Sequence, residues 1–387
     1  MRYKAYKYDE RGRMPLAEMN TLGQIIYNID EADVNWRYGQ ASRKTVLGVQ
    51  GVYRFEYDIF GRNKKVTSPE QISAMTDYKW SIQTGGSNSY TEVDNAVFQV
   101  TKTASNSSNY QKVWRDRLGR TRATETLNLT GDKIRGVTTY NESGNVDKVR
   151  SPFIAGNALA TGELSEYLYD ALNRPSGVTT AIGTATVAHS YDANYAYATI
   201  TDYAGVTKIS RSDKSGALDR MTDQGGTLDY TYNASGQPLA VRLNGTLTTQ
   251  NTFDSYLRHT SATDPNSGTY EYEYNAYGEL TAQTDNAANT YTLAYDDAGR
   301  VTQRLNAATT EATDYKYVPD GTNGVNQIAA IYYSNGVYDS YEYDSYGRTT
   351  LKTQGIDGIA ADTKYTYANG RIKTMVYPSG YELEYGV

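Results

Sequence analysis

The 387 residues carry 38 basic and 44 acidic side chains, a net charge of −6, with no cysteine and two histidines. This balance leaves no basic tract to track phosphates, the lack of thiols removes disulfide and thiolate chemistry, and His189 and His259 alone are too few for most histidine-based catalytic and zinc sites. No apolar run approaches the ~18 residues of a membrane span, and the charged opening, residues 1–20, has no signal-peptide core.

The apolar composition is unusual. There are 39 tyrosines but only 21 leucines, and Leu, Ile, Val and Phe together make up about 17% of the chain, a level at which disorder becomes a serious reading. Disorder also requires high net charge, which this chain lacks. Tyrosine is therefore expected to supply much of the burial.

In chain order the tyrosines head a repeated motif. It reads Tyr8-Asp9-Glu-Arg-Gly12-Arg13, Tyr57-Asp58-Ile-Phe-Gly61-Arg62, Arg115-Asp-Arg-Leu-Gly119-Arg120 and Tyr140-Asn-Glu-Ser-Gly144. Tyr169-Asp170-Ala-Leu-Asn173-Arg174 follows, with Asn where Gly stood. Clear copies then begin at Tyr232 (with Gly236), Tyr274 (Gly278), Tyr295-Asp296 (Gly299-Arg300) and Tyr343-Asp344 (Gly347-Arg348). Degenerate copies fall at Asp202 to Gly205, Ser212 to Gly216, Phe253 to Arg258 and Tyr317 to Gly321. From residue 232 the leading aromatic recurs at 232, 253, 274, 295, 317, 343 and 367, close to every 21 residues.

Asp or Asn followed three residues later by Gly is the pattern of a type I turn with a side-chain cap, and a left-handed Gly there closes a short hairpin through a G1 bulge. Asn tolerates the same backbone. Before the turn, aromatics sit two apart, as in Tyr270/Tyr272/Tyr274, Tyr315/Tyr317, Tyr341/Tyr343 and Tyr365/Tyr367, with Glu271, Glu273, Lys316, Glu342 and Thr366 between them. Residues at i and i+2 share one face of a strand, so each copy predicts strand, turn, strand with an aromatic and a polar face. The fold class is all-β, a long antiparallel ribbon of about 36 strands and roughly 170 Å. One continuous array is expected over 1–387, irregular with insertions over 1–160 and regular at about 21 residues over 161–387. The Ser-, Asn- and Gly-rich stretch from Thr84 to Asn109 is expected to be a surface loop. Both ends stop inside the pattern, so the chain reads as a segment of a longer protein.

Tyr-Asp-x-x-Gly-Arg at this spacing resembles the YD repeats of the RHS family: Rhs polymorphic toxins, the B and C components of Tc insecticidal toxins, wall-associated bacterial toxins and teneurins. The resemblance implies a β-ribbon spiralling into part of a hollow shell. In bacterial members the shell encloses a variable C-terminal toxin until a secretion or injection system delivers it, often after aspartyl autoproteolysis at Asp-Pro-x-Gly-Leu. This chain departs from that motif: Asp264-Pro265-Asn266-Ser267-Gly268 is one residue too long and lies in mid-array, so it reads as a hairpin turn.

Other chemistry has simpler explanations. Asp296/Asp297 and Glu382/Glu384 are paired carboxylates, as glycosidases need, but the Asp positions recur at every turn, where capping explains them all. His189 is in line with Tyr191 and replaces a ring of the row. Asp320-Gly-Thr-Asn-Gly324 lacks the distal Glu of a calcium loop. The sequons Asn128-Leu-Thr130 and Asn244-Gly-Thr246 are of a kind that Asn- and Thr-rich turns generate freely. No catalytic residue, metal or cofactor is assigned. The expected role is a non-enzymatic scaffold, the wall of a β-cage around a toxin or effector, secreted or delivered to the bacterial exterior, with that cargo, further shell segments or delivery machinery as partners. An extracellular adhesion module binding glycans through exposed tyrosines is the alternative, since rings with nearby polar groups suit sugar stacking.

Overall fold

A computed structural model describes residues 4–80, 93, 96–155 and 162–386. Among them are 35 strands and one three-residue 3-10 helix, Glu31–Asp33. Thirty-three strands form one antiparallel sheet, and Val34–Asn35 with Gln40–Ala41 form a second small one. Strands adjacent in sequence pair with each other, as in Tyr338–Tyr343 with Thr349–Ile356 and Thr349–Ile356 with Ile359–Ala368. Most are about six residues long, the length that period-two alternation between turn signals encodes.

The alternation sorts the side chains. Tyr341 and Tyr343 are half-buried and Glu342 between them is exposed; Tyr315, Lys316 and Tyr317 repeat the arrangement, as do Tyr365, Thr366 and Tyr367. At the last pair before the motif turns the register slips, between Glu342 and Tyr343, Ala294 and Tyr295, Glu273 and Tyr274, and Glu56 and Tyr57. The slip is the bulge that left-handed Gly347, Gly299, Gly278 and Gly61 produce.

By contacts the chain divides into two compact units: Met1–Thr76, Thr103–Ser108 and Glu271–Val387 form the first, Asp77–Lys102 and Asn109–Tyr270 the second. Each has only a small aliphatic core. In the first, Leu16, Ile29, Val34 and Ala41 pack together with Met14 and Tyr27. In the second, Trp114, Ala123 and Val93 are buried with Ala96 and Val137 against them. Beside Trp114 in the second unit lies a buried charged cluster. The fully buried Glu125 accepts from Tyr110 Oη at 2.7 Å and from Arg135 at 2.5 Å, with Lys112 at 3.7 Å.

Two expectations are corrected. The loop expected from Thr84 to Asn109 includes a strand, Phe98–Ala104, whose Phe98 ring packs at a tilt against Trp80, centroids 5.4 Å apart; residues 81–92, 94 and 95 lie outside the described residues. The degenerate copy at Tyr317 to Gly321 closes later than expected. Val318 N–H donates to Gln327 O at 2.8 Å, and Asn326, at φ +68°, takes the left-handed place. The degenerate copy at Asp202 to Gly205 does close as a turn, with Gly205 N–H donating to Asp202 O at 3.0 Å, and it lies on the opposite edge of the ribbon from the turns at Asp192 and Asp213, because one strand separates each turn from the next.

Candidate functional site

The unit that recurs is the turn, and its chemistry is clearest at Asp344. Gly347 N–H donates to Asp344 O at 3.0 Å, and Asp344 N–H donates to Arg348 O at 2.9 Å, which closes the turn. Asp344 Oδ1 accepts from the amides of Tyr346 and Arg348 at 2.9 and 3.0 Å, and Oδ2 accepts from Arg348 Nε at 2.7 Å. One carboxylate thus caps the backbone with one oxygen and holds the guanidinium with the other.

The same pattern is built at Asp9/Arg13, Asp58/Arg62, Asp116/Arg120, Asp170/Arg174, Asp254/Arg258 and Asp296/Arg300. Burial opposes ionisation of Asp344 and Asp296, but the amide and Arg hydrogen bonds outweigh it and hold both carboxyls below the usual range. At Asp170 the Arg174 hydrogen bond is the leading cause of the same shift. Where the first residue is Asn, the fifth changes with it: Asn233 Nδ2 donates to Gln237 Oε1 at 2.8 Å, and Asn275 Nδ2 to Glu279 Oε2 at 2.7 Å. The ion pair is exchanged for a neutral or singly charged hydrogen bond of the same shape. The left-handed position is filled by Gly12, Gly61, Gly236, Gly278, Gly299 and Gly347, and by Asn173 and Leu257.

The motif tyrosine joins one hairpin to the hairpin before it. Tyr343 Oη donates to Ile328 O at 2.8 Å, Tyr367 to Thr349 O at 2.7 Å, Tyr317 to Val301 O at 2.8 Å, and Tyr295 to Leu280 O at 2.7 Å. Tyr57, Tyr140, Tyr169 and Tyr232 do the same to Ala41, Thr121, Val146 and Leu218. In the regular copies the acceptor is the residue that follows the fifth turn position of the preceding repeat. Burial raises the phenol pKa of Tyr57, Tyr169, Tyr232, Tyr317, Tyr343 and Tyr367, which keeps the donating proton in place. Tyr8 differs: it is exposed.

The fifth position also reaches forward. Arg300 lies over the Tyr317 ring at 4.2 Å, Arg348 over Tyr367 at 4.3 Å and Arg120 over Tyr140 at 4.2 Å. Arg120 and Gln327 donate to the carbonyls of Gly144 and Gly347 in the next motif at 3.1 and 2.8 Å. Sequence reading identified the turn but missed these links, because their acceptors are backbone carbonyls that carry no residue signature.

Within the first unit a third layer appears, edge against edge. Turns on the motif edge of residues 271–387 meet turns on the other, return edge of 1–76 and 103–108. Thr21 Oγ1 donates to Asp297 O at 2.7 Å, Gln50 N–H to Ser345 O at 2.7 Å and Asn106 Nδ2 to Asn369 O at 2.7 Å. Asn326 Nδ2 donates to Gln24 Oε1 at 2.9 Å, and Arg348 pairs with Glu70 as well as Asp344. Gly48 and Gly370 lie so close to Val325 and Ile72 that a Cβ at either would clash.

The remaining candidates fall to structural roles. Asp264 Oδ1 accepts from Asn266 N–H at 2.8 Å, so the Asp-Pro string is a capped turn. His189 Nε2 contacts Pro175 O at 2.9 Å. Asp296 is engaged as above, while Glu382 and Glu384 stand exposed on a short terminal strand.

Residues 274–312, which hold the motifs at Tyr274 and Tyr295, match the RHS repeat family. These are RHS repeats. The same capped turn and tyrosine link recur outside the matched stretch, at Tyr57, Tyr169 and Tyr343. No curated protein matches the chain in sequence. Among solved structures it is similar to TcdB2-TccC3-TEV, with 11% identity, 97% of this chain and 31% of that chain covered, and a TM-score of 0.39. TcdB2-TccC3 without its hypervariable C-terminal region gives 11% identity, coverage of 97% and 30%, and 0.38. A Photorhabdus luminescens Tc holotoxin pore gives 13%, 93% and 24%, and 0.34. The chain thus spans less than a third of these chains. No helix among the described residues is long and apolar enough to cross a membrane.

Proposed function

We propose that the chain is one continuous RHS array forming part of the wall of a β-cage, which encloses a toxin or effector polypeptide and shields it before delivery. The observation that carries this reading is the pair of links between repeats: motif tyrosines such as Tyr295 and Tyr343 bond back to the preceding hairpin, and Arg120 and Gln327 bond forward to the next turn. Such links make a ribbon whose hairpins cannot splay apart, and edge contacts such as Thr21 to Asp297 seal one stretch against another. Nothing in this machinery requires a reacting group; its hydroxyls, carboxylates and guanidinia are engaged with backbone and with each other. The wall's partners are then the cargo and further wall segments, in a protein that is secreted or injected. The test is limited proteolysis of the full-length protein. A cargo segment that survives protease while the wall is intact, and is digested once the wall is unfolded, supports enclosure; cargo cut at the same rate in both states refutes it.

A further inference from the structure

In the contact inside the first unit each return turn lies between two motif turns. Residues 20–24 meet Asp297 on one side and Asn326 on the other, 47–50 meet Val325 and Ser345, and 68–72 meet Arg348 and Gly370. Two kinds of contact hold them there. Thr21 Oγ1, Gln50 N–H and Asn106 Nδ2 donate to main-chain carbonyls, those of Asp297, Ser345 and Asn369. Every turn offers such a carbonyl, so these bonds do not distinguish this alignment of the edges from one shifted by a turn.

The side-chain contacts do distinguish. Asn326 holds the left-handed place of its turn and donates to Gln24 Oε1 at 2.9 Å; in the next motif turn that place belongs to Gly347, which has no side chain to offer. Arg348 holds the fifth place and pairs with Glu70; in the motif turn before, that place belongs to the uncharged Gln327. Val325 fills the space that Gly48 leaves by lacking a Cβ, and Ile72 the space that Gly370 leaves. Moving the return edge one motif turn toward the C-terminal repeats therefore takes Gln24 to Gly347. Moving it one turn the other way takes Glu70 to Gln327 and sets 68–72, which has no glycine, against Val325.

We propose that Val325, Asn326, Glu70 and Ile72 set the register in which the two edges of the first unit meet, the carbonyl bonds supplying attachment without alignment. The long turn at 318–327 is then a keying element, since it carries two of the four. A polar side chain whose misalignment leaves its partner unmatched fixes register in the same way in coiled coils. The inference concerns how two stretches of wall align and is independent of any enclosed cargo.

The chain has no cysteine, so disulfide trapping in the 387-residue protein reads the alignment directly. Neighbouring motif turns are two strands, about 10 Å, apart, whereas a disulfide needs Cα atoms within about 7 Å, so one pair cannot report two alignments. Thr21→Cys with Asp297→Cys reports the native register. Thr21→Cys with Ala276→Cys, and Gln50→Cys with Asn369→Cys, report shifts of one motif turn in the two directions. Each pair is oxidised in the wild-type background and in one that also carries Val325→Ala, Asn326→Gly, Glu70→Gln and Ile72→Ala. Glycine keeps the left-handed backbone at 326 and removes only the amide side chain.

In the wild-type background the native pair is expected to cross-link and neither shifted pair to do so. In the quadruple variant the native yield is expected to fall and at least one shifted pair to appear. Shifted cross-links in the wild-type background, a quadruple variant that traps the native pair as fully as wild type, or one that traps no pair would each overturn the proposal; the last would mean that these side chains hold the edges together without aligning them. A quadruple variant with a lowered circular-dichroism melt is replaced by Asn326→Gly with Glu70→Gln, which keeps both apolar contacts and is read by the same outcomes.

Discussion

The Tyr343 hydroxyl donates to the carbonyl of Ile328, 15 residues earlier, at 2.8 Å, and so ties a turn to the hairpin before it. The ring is also packed from the other side, since Gly324 lies directly against it. Removing the hydroxyl alone leaves that packing and takes away the tie. Tyr343→Phe is expected to cost about 1 kcal/mol, the usual worth of such a hydrogen bond. Tyr256→Phe, at an exposed tip, is expected to leave stability unchanged. Amide hydrogen exchange over residues 328–349 reads the difference locally, which suits a repeat array whose hairpins need not unfold together.

The left-handed turn position separates residues by backbone alone at Gly236, where φ is +81° and a Cβ would meet nothing within 4 Å. Gly236→Ala is therefore expected to cost about 1 kcal/mol from conformation only. Gly236→Asn is expected to cost less, since Asn173 holds the same place at φ +60°. Chemical denaturation of the two variants compares them, and Asn proving the worse of the two would contradict the assignment.

What the sequence made legible was the period-two aromatic strand and the Asp-x-x-Gly turn, because both rest on side chains at fixed spacing. Asn20–Gly23, Asn128–Gly131 and Asp285–Ala288 escaped it. They close the same way, but no Tyr precedes them, and Ala288 fills the left-handed place at φ +62°. Asn326 escaped for another reason: an insertion carries the turn past Gly321 and Gly324, which are also left-handed, so spacing alone chooses the wrong residue. The tie from Tyr343 to Ile328 was illegible since a main-chain carbonyl looks alike in every residue.

The match between first and fifth turn positions predicts compensation. Asp170 holds Arg174 through Oδ2, whereas Asn233 holds Gln237 in the corresponding place. Asp170→Asn alone leaves the guanidinium without its anion, and Arg174→Gln alone leaves the carboxylate without its cation. The double variant recreates the neutral pair. Thermal melts are expected to place both singles below wild type and the double above either single; strictly additive losses would mean that the pair does not act as a pair.

Buried charge gives the largest expected effect. Glu125 is sealed under Tyr110, Arg135 and Lys112, and its pKa is lowered because their hydrogen bonds and charges outweigh the cost of burial. Glu125→Gln keeps the shape and removes the charge, leaving Arg135, itself only 13% exposed, with a neutral partner. The expected loss is about 3 kcal/mol. Glu125→Gln with Arg135→Met is expected to recover part of it, as read by denaturant midpoint.

Acid should loosen the whole ribbon together, since the turn carboxyls share one chemistry. Asp9, Asp58, Asp116, Asp170, Asp254, Asp296 and Asp344 all have lowered folded pKa values. A group whose folded value is depressed contributes stability that is complete above its unfolded value, near 3.9 for Asp, and is lost as pH falls through the folded value. Melting temperature is therefore expected to stay level from neutral pH down to about 4 and then to fall progressively as pH drops through the folded values. The turns at Asn233 and Asn275 have no Asp at that position, so hydrogen exchange near pH 3 should leave Asn233 to Gln237 better protected than Asp254 to Arg258. Equal protection of the two would show that the Asp–Arg pair is not what acid removes.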